Sequence, residues 1–175
     1  MSIEIGFKKL SEEAIIPTRA HKTDSGFDLY ALEDTIIKPG ETRIIQTGIA
    51  VDLPEGYEAQ IRPKSGITAK TKLRVQLGTI DQDYTGELGV IVDNIYAEKR
   101  GLSSSIYTVD GGTTLLDGQA ILQERKKEFV GSYLIEKGKQ IAQLVVQKLP
   151  EVEAIEIDSL EETERGDGGF GSTGV

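Results

Sequence analysis

Apolar residues in this chain recur at a period of two over short stretches, and polar turns rich in glycine or proline separate those stretches. In IEIGF, Ile3, Ile5 and Phe7 fall on one face, which predicts a half-buried strand. TIIKPGETRII and IAVDLPEGYEAQIRP each read as two strands about a turn, the first at Pro39-Gly40 and the second at Pro54-Glu55-Gly56. LRVQL, ELGVIV, SYLIE, IAQLVV and EVEAIEI add further strands, and GTIDQDYTGELGVIV reads as a hairpin whose polar turn holds Asp81, Asp83 and Gly86. Only LLDGQAILQERKKEF reads as helical beyond one turn, with Glu124 and Lys127 three apart. There is no repeat of fixed period. Many short strands between such turns predict an all-β fold, a double-sheet jelly roll or barrel, over alternating βα units.

Composition narrows the setting. A chain of 175 residues is expected to form one domain with a real core. A net charge of −9 argues against direct nucleic-acid or anionic-membrane binding, because counterion release needs a basic surface. Any anionic ligand must then be held by local groups. With no cysteine and one histidine, a thiolate zinc site is excluded and a soft-metal catalytic site is unexpected. The start, MSIEIGFKKL, has no basic stretch leading into an apolar run, so a soluble, cytoplasmic protein is expected.

The loops carry the candidate chemistry. In HKTDSGFDLYA, Asp24 reads as an Asx-type turn and His21 as a solvated loop histidine. Asp28 lies inside a strand-like run where β propensity favours other residues, so its carboxylate is a candidate ligand. RPKSGITAK places Arg62, Lys64, Ser65 and Gly66 where a short helical turn would open. Its free N–H groups can bind an oxyanion, although an ordinary capped turn reads equally. Asp81, at a strand end, can serve a general base, whereas Tyr84 reads on pattern alone as a cross-strand packing residue. Gln143, between Ala142 and Leu144, needs partners if buried. The terminal RGDGGFGSTGV has the glycine content of a disordered tail, yet it carries Phe170 and Arg165. A flap ordering over an anionic, flat ligand would use both.

In order, HKTDSGFDLYA, RPKSGI, GTIDQDYTGELGVIV, GKQIAQL and RGDGGFGSTG resemble the five motifs of the trimeric, all-β dUTPase family. The resemblance implies a jelly-roll-like subunit that hydrolyses dUTP to dUMP and pyrophosphate with Mg²⁺. That reaction limits uracil in DNA and supplies dUMP for thymidylate synthesis. It implies a homotrimer with sites shared between subunits, a β domain over residues 1–160 and a mobile, glycine-rich arm over residues 161–175. By matching positions, Asp81 activates the water that attacks the α-phosphorus. Tyr84 packs under the deoxyribose, and backbone groups of Gly78, Thr79, Ile80, Asp81, Gly89 and Ile91 read the uracil edge. Lys64, Ser65, Gly66 and Gln143 hold phosphates, and Asp28 anchors Mg²⁺ through water. Phe170 covers the uracil, while Arg165, Gly171, Ser172 and Thr173 close on the γ-phosphate.

The chain departs from the family pattern in three places. Lys64 stands where arginine is usual, which replaces a bidentate fork by a point charge. Lys139-Gln140 stands where an acidic-basic pair is usual. An insertion of about residues 97–128 interrupts the pattern, as in some bacteriophage dUTPases of Gram-positive hosts, where the added segment contacts regulatory proteins. The plainer reading is a tolerated surface excursion. Two alternatives stand beside the pyrophosphatase: a dCTP deaminase of the same fold, for which Glu87 would have to be the acid-base residue, and a mainly regulatory interaction protein.

Overall fold

The described part of the chain is cut into short strands where the glycine and proline turns fall. The computed structural model describes residues 3–97, 106–108, 113–114, 131–164 and 166–167. The first half contains β1 (Gly6–Lys9), β2 (Phe27–Tyr30), β3 (Thr35–Ile37), β4 (Thr42–Gln46), β5 (Ile49–Asp52) and β6 (Tyr57–Pro63). After the helix α1 (Ser65–Lys70) come β7 (Leu73–Val75), β8 (Gly78–Ile80) and β9 (Gly89–Asn94). The last strands are β10 (Ile106–Thr108), β11 (Thr113–Thr114), β12 (Tyr133–Ile135) and β13 (Gln140–Lys148). The turns marked by Pro39-Gly40 and Pro54-Glu55-Gly56 are closed by Gly40 and Gly56 at φ +74° and +76°, a conformation that a Cβ disfavours.

The strands form four sheets, ordered β2-β13-β6-β8, β4-β9-β7, β11-β10-β12-β3 and β1-β5. Their inner faces share one core, in which Leu29, Ile37, Ile45, Leu73, Leu88 and Leu144 are at most 1% exposed. Each such side chain stabilises the fold by about 1.5–3 kcal/mol relative to exposure. This is the all-β, jelly-roll-like architecture expected from the turn spacing. Strands adjacent in sequence, such as β3 and β4 or β5 and β6, belong to different sheets. A jelly roll requires this crossing.

One buried polar side chain sits where sheets must be fastened to one another. Asn94, 1% exposed, donates to the Ile37 carbonyl at 3.0 Å and the Gly131 carbonyl at 2.9 Å, and accepts from the Tyr96 N–H at 3.0 Å. One side chain thereby ties the end of β9 to β3 and to the chain returning at Gly131. Between those two points runs the insertion, whose β10 pairs in parallel with β12 and antiparallel with β11. Residues 106–108 and 113–114 of that segment are therefore part of the sheet that holds β12 and β3.

Three expectations change. GTIDQDYTGELGVIV is not a hairpin: β8 pairs with β6 and β9 pairs with β4 and β7, so the two ends of the run enter different sheets. EVEAIEI forms no strand, and Val152, Ile155 and Ile157 are 84%, 74% and 56% exposed. Alternation alone does not make a strand where no partner edge is offered. In IEIGF the strand begins only at Gly6, and Ile3 is 51% exposed. The helical reading of LLDGQAILQERKKEF falls outside the described residues.

Candidate functional site

The sheet β2-β13-β6-β8 buries one face and presents polar side chains on the other. In its ladder Asp28 on β2 stands opposite Gln143 on β13, which stands opposite Arg62 on β6. Residues directly opposite in an antiparallel pair share a face, so these three form a row across three strands. The row continues along β6 as a chain of polar contacts. Arg62 donates to Gln60 Oε1 and to Gln147 Oε1, and Gln60 Nε2 donates to Glu58. Gln143 donates from Nε2 to the Pro63 carbonyl at 3.1 Å, which supplies the partner its position requires. Gly26 permits this placement, because a Cβ there would lie 2.9 Å from Gln143 Oε1.

At the end of β6 the chain turns into α1. Lys64 occupies the N-cap in extended conformation and makes no side-chain cap, while Ser65 and Gly66 are exposed in the first turn. The N–H groups at such a start have no intrahelical partner. The Lys64 side chain runs back over the sheet, where Nζ pairs with Asp28 Oδ1 in a short ion pair and donates to Gln140 Oε1 at 3.1 Å. A register shift between Gln140 and Ala142 accompanies this arrangement on β13. Lys64, Ser65, Gly66, Gln143 and Asp28 are thus gathered at one end of the sheet, joined by Gln140. In the sequence Gln140 stands out only as a departure from the family pattern.

The second group lies at the other end. β8 closes the sheet, with Gly78, Thr79 and Ile80 opposite Ile61, Gln60 and Ala59, so among the described residues one side of its backbone has no strand partner. Asp81 follows, exposed, and a turn returns the chain through the Tyr84 N–H to Asp81 O bond of 3.1 Å. Tyr84 lies in no strand, so it is not a cross-strand packing residue. Its ring folds over Gly86, where a Cβ would meet the hydroxyl at 2.5 Å, and the hydroxyl donates to the Glu87 carbonyl at 3.0 Å. Gly89 and Ile91 are on β9 in the neighbouring sheet, and a Cβ at Gly89 would press on Ile44 at 2.7 Å.

The two groups are far apart within one chain. Asp28 is three strands across from β8, about 14 Å, and the Arg62 level is three residues along β6 from Ala59, which faces Ile80, about 10 Å. Asp81 is one residue farther still, so Asp81 and the Lys64–Asp28 pair are separated by on the order of 20 Å.

Other loop readings resolve simply. Asp24 accepts from the His21 N–H at 2.8 Å and donates its own N–H to the His21 carbonyl at 3.1 Å, which closes the expected turn. Glu87 accepts from the Gly48 N–H at 2.7 Å, holding the turn between β4 and β5. Arg165, Phe170, Gly171, Ser172 and Thr173 lie outside the described residues. Among the described residues there is no group of three or more His, Cys, Asp or Glu side chains placed to hold a metal ion. No described helix is long and apolar enough to cross a membrane.

Comparison with known proteins bears on the same segments. The family model for dUTPase matches residues 12–99 and 129–174. A deoxyuridine 5'-triphosphate nucleotidohydrolase of Clostridioides difficile is 39% identical over 169 residues, covering 95% of each chain. Its namesake from a Hydrogenobaculum species is 40% identical over 171 residues, covering 96% of each. Among solved structures, the dUTPase of Staphylococcus bacteriophage 80alpha with dUpNHpp superimposes with a TM-score of 0.88 at 35% identity, covering 99% of this chain and 100% of that one. A dUTPase of phage phi11 of S. aureus gives 0.81 at 31% identity, covering 91% and 100%, and its structure is described as showing the coordination of a structural Mg(II) ion.

Proposed function

The chain belongs to the dUTPase family, a dUTP diphosphatase with phage relatives, and on that premise we propose how its own residues carry out the hydrolysis. Asp81 accepts a proton from a water whose oxygen forms a bond to the α-phosphorus. The bond from that phosphorus to the bridging oxygen breaks, and dUMP and pyrophosphate leave. Lys64, Ser65, Gly66 and Gln143 hold the phosphates, so the reaction gains chiefly from alignment and from donors fixed before the charge shifts. The unpaired edge of β8 reads the uracil through Gly78, Thr79 and Ile80, with Gly89 and Ile91 alongside. The Tyr84 ring, held against Gly86, lies under the deoxyribose and leaves no room for a 2′-hydroxyl.

Asp28 suits a hydrated Mg²⁺. It is one partly buried carboxylate, and this ion keeps most of its water and completes its octahedron with substrate phosphates instead of a protein cage. When bound, the ion supplies charge neutralisation on the triphosphate. Residues 161–175 act as an arm, with Phe170 over the base and Arg165, Gly171, Ser172 and Thr173 at the γ-phosphate.

What supports this reading is the strand register, which at ordinary strand spacings puts on the order of 20 Å between Asp81 and the Lys64–Asp28 pair. A complete site then draws its two halves from different subunits of a homotrimer, and the exposed apolar pair Ile44 and Ile91 offers surface for the contact. The residues around the insertion, 97–128, are proposed to bind a regulatory protein. In support, the 80alpha enzyme is described as controlling transfer of virulence genes by a proto-oncogenic G protein-like mechanism. A cytoplasmic location, the host's if the chain is phage-encoded, fits this activity. The deaminase alternative is weakened because Glu87 is committed to the Gly48 N–H.

The test is to supply the pure protein with dUTP, UTP and dCTP in Mg²⁺ and identify the products. Pyrophosphate and dUMP are expected from dUTP, with far lower kcat/KM for UTP. Ammonia from dCTP would overturn the assignment, and comparable rates for UTP would remove Tyr84 from its role.

A further inference from the structure

Lys64 carries three demands on one ammonium. It neutralises Asp28, it donates to Gln140, and on the reading above it must hold phosphate. The Asp28 and Lys64 side chains are only 13% and 26% exposed. An ionised carboxylate so placed is unfavourable without a counter-charge. The nearby described cations are engaged elsewhere: Arg62 lies on Gln60 and Gln147, and Arg19 stacks over the Phe27 ring at 4.2 Å. Asp28 therefore relies on Lys64.

The two contacts of Lys64 differ in what it loses by leaving them. Gln140 is a neutral acceptor and gives one hydrogen bond at 3.1 Å. Asp28 gives a full ion pair. An ammonium is a compact charge on a flexible four-carbon stem and makes single-point contacts, so it can change partners without breaking a planar fork. A triphosphate arriving beside Lys64 offers a denser negative charge than Asp28. Once the ammonium moves, the carboxylate is left without compensation.

We propose that Lys64 is an exchangeable counter-ion: in the free chain it neutralises Asp28 and rests on Gln140, and bound phosphates draw it off, so that Asp28 accepts a divalent cation only with the nucleotide. This deepens the functional reading above and rests on it. Nucleotide and cation then favour each other through competition for one ammonium. The same exchange prevents the free enzyme from loading the cation prematurely.

The experiment measures binding of dUpNHpp by calorimetry to the wild-type protein, Asp28→Asn, Lys64→Gln and the double variant, each in EDTA and in Mg²⁺. Thermal melts confirm that each variant folds, and Lys64→Met serves in place of Lys64→Gln if that one does not. In EDTA, Asp28→Asn should bind about tenfold tighter than wild type, within the range usual for coupled sites, and its affinity should gain less from Mg²⁺ than that of wild type. In the Lys64→Gln background the same substitution should give a smaller gain, because no ammonium remains to be released. An equal or larger gain there means that Asp28 merely repels phosphate, and it overturns the proposal. That outcome alongside a wild-type protein that converts dUTP to dUMP overturns the exchange alone, whereas a wild-type protein that releases no dUMP overturns the functional reading with it.

Discussion

Mixing two disabled chains tests the shared site directly. Asp81→Asn removes the proposed proton acceptor at the end of β8 and should lower kcat by about 10²–10⁴. Lys64→Ala removes a charged donor at the other end of β6. Loss of one such bond costs about 1.5–3 kcal/mol, or roughly 10- to 150-fold in kcat/KM. Neither change touches the core, since Asp81 is exposed and Lys64 is partly so. Within one chain the two positions are on the order of 20 Å apart, so on the proposed shared site an Asp81 from one subunit serves a Lys64 from another. If equal amounts are unfolded and refolded together, random assortment gives about a quarter of sites both an intact Asp81 and an intact Lys64. Hydrolysis of dUTP should therefore rise to about a quarter of the wild-type rate, well above either parent. The assay is pyrophosphate release, with subunit exchange verified by native mass spectrometry on differently tagged chains. Mixed trimers with only the average activity of the parents would refute the reasoning and return both residues to a single-chain site.

Three further outcomes are expected. Asn94→Leu deprives two carbonyls and one N–H of their buried partner, so stability should fall by about 3 kcal/mol and Tm by roughly 6–12 °C; a melt within a degree of wild type would contradict the fastening role. Replacing residues 97–128 by a short Gly-Ser turn should preserve the trimer and dUTP hydrolysis while lowering Tm, because β12 loses its parallel partner β10; light scattering that shows monomers would make the segment part of the assembly. Asp93 is held below its ordinary 3.8 first by the Thr42 hydroxyl and next by the Gln76 amide. A carboxylate lowered in the fold stabilises it above the unfolded value, and that contribution is lost as pH falls through the folded one. Thr42→Val should therefore raise the Asp93 value and reduce the acid-dependent part of stability below about pH 4, read by NMR titration and by urea midpoints.

The sequence by itself determined the local choices. Period-two runs and turns at Gly40 and Gly56 set most of the strands, because a strand's alternation and a turn's positive φ are properties of a few consecutive residues. The candidate residues were legible for a related reason: a carboxylate inside FDLYA or a glutamine inside IAQLVV is out of place unless something binds it. Partnership was not legible. GTIDQDYTGELGVIV alternates like a hairpin, yet its halves pair with β6 and with β4, since edges are chosen by which apolar faces can meet in one core. EVEAIEI alternates as well and pairs with no strand among the described residues. Likewise Asp28, Lys64 and Gln140 are separated by 36 and 76 residues, and no spacing rule links them. Only the adjacency of β2, β13 and β6 brings these side chains together, and the same adjacency keeps Asp81 away, because side chains interact over a few ångströms while strand order is set by the packing of the whole chain.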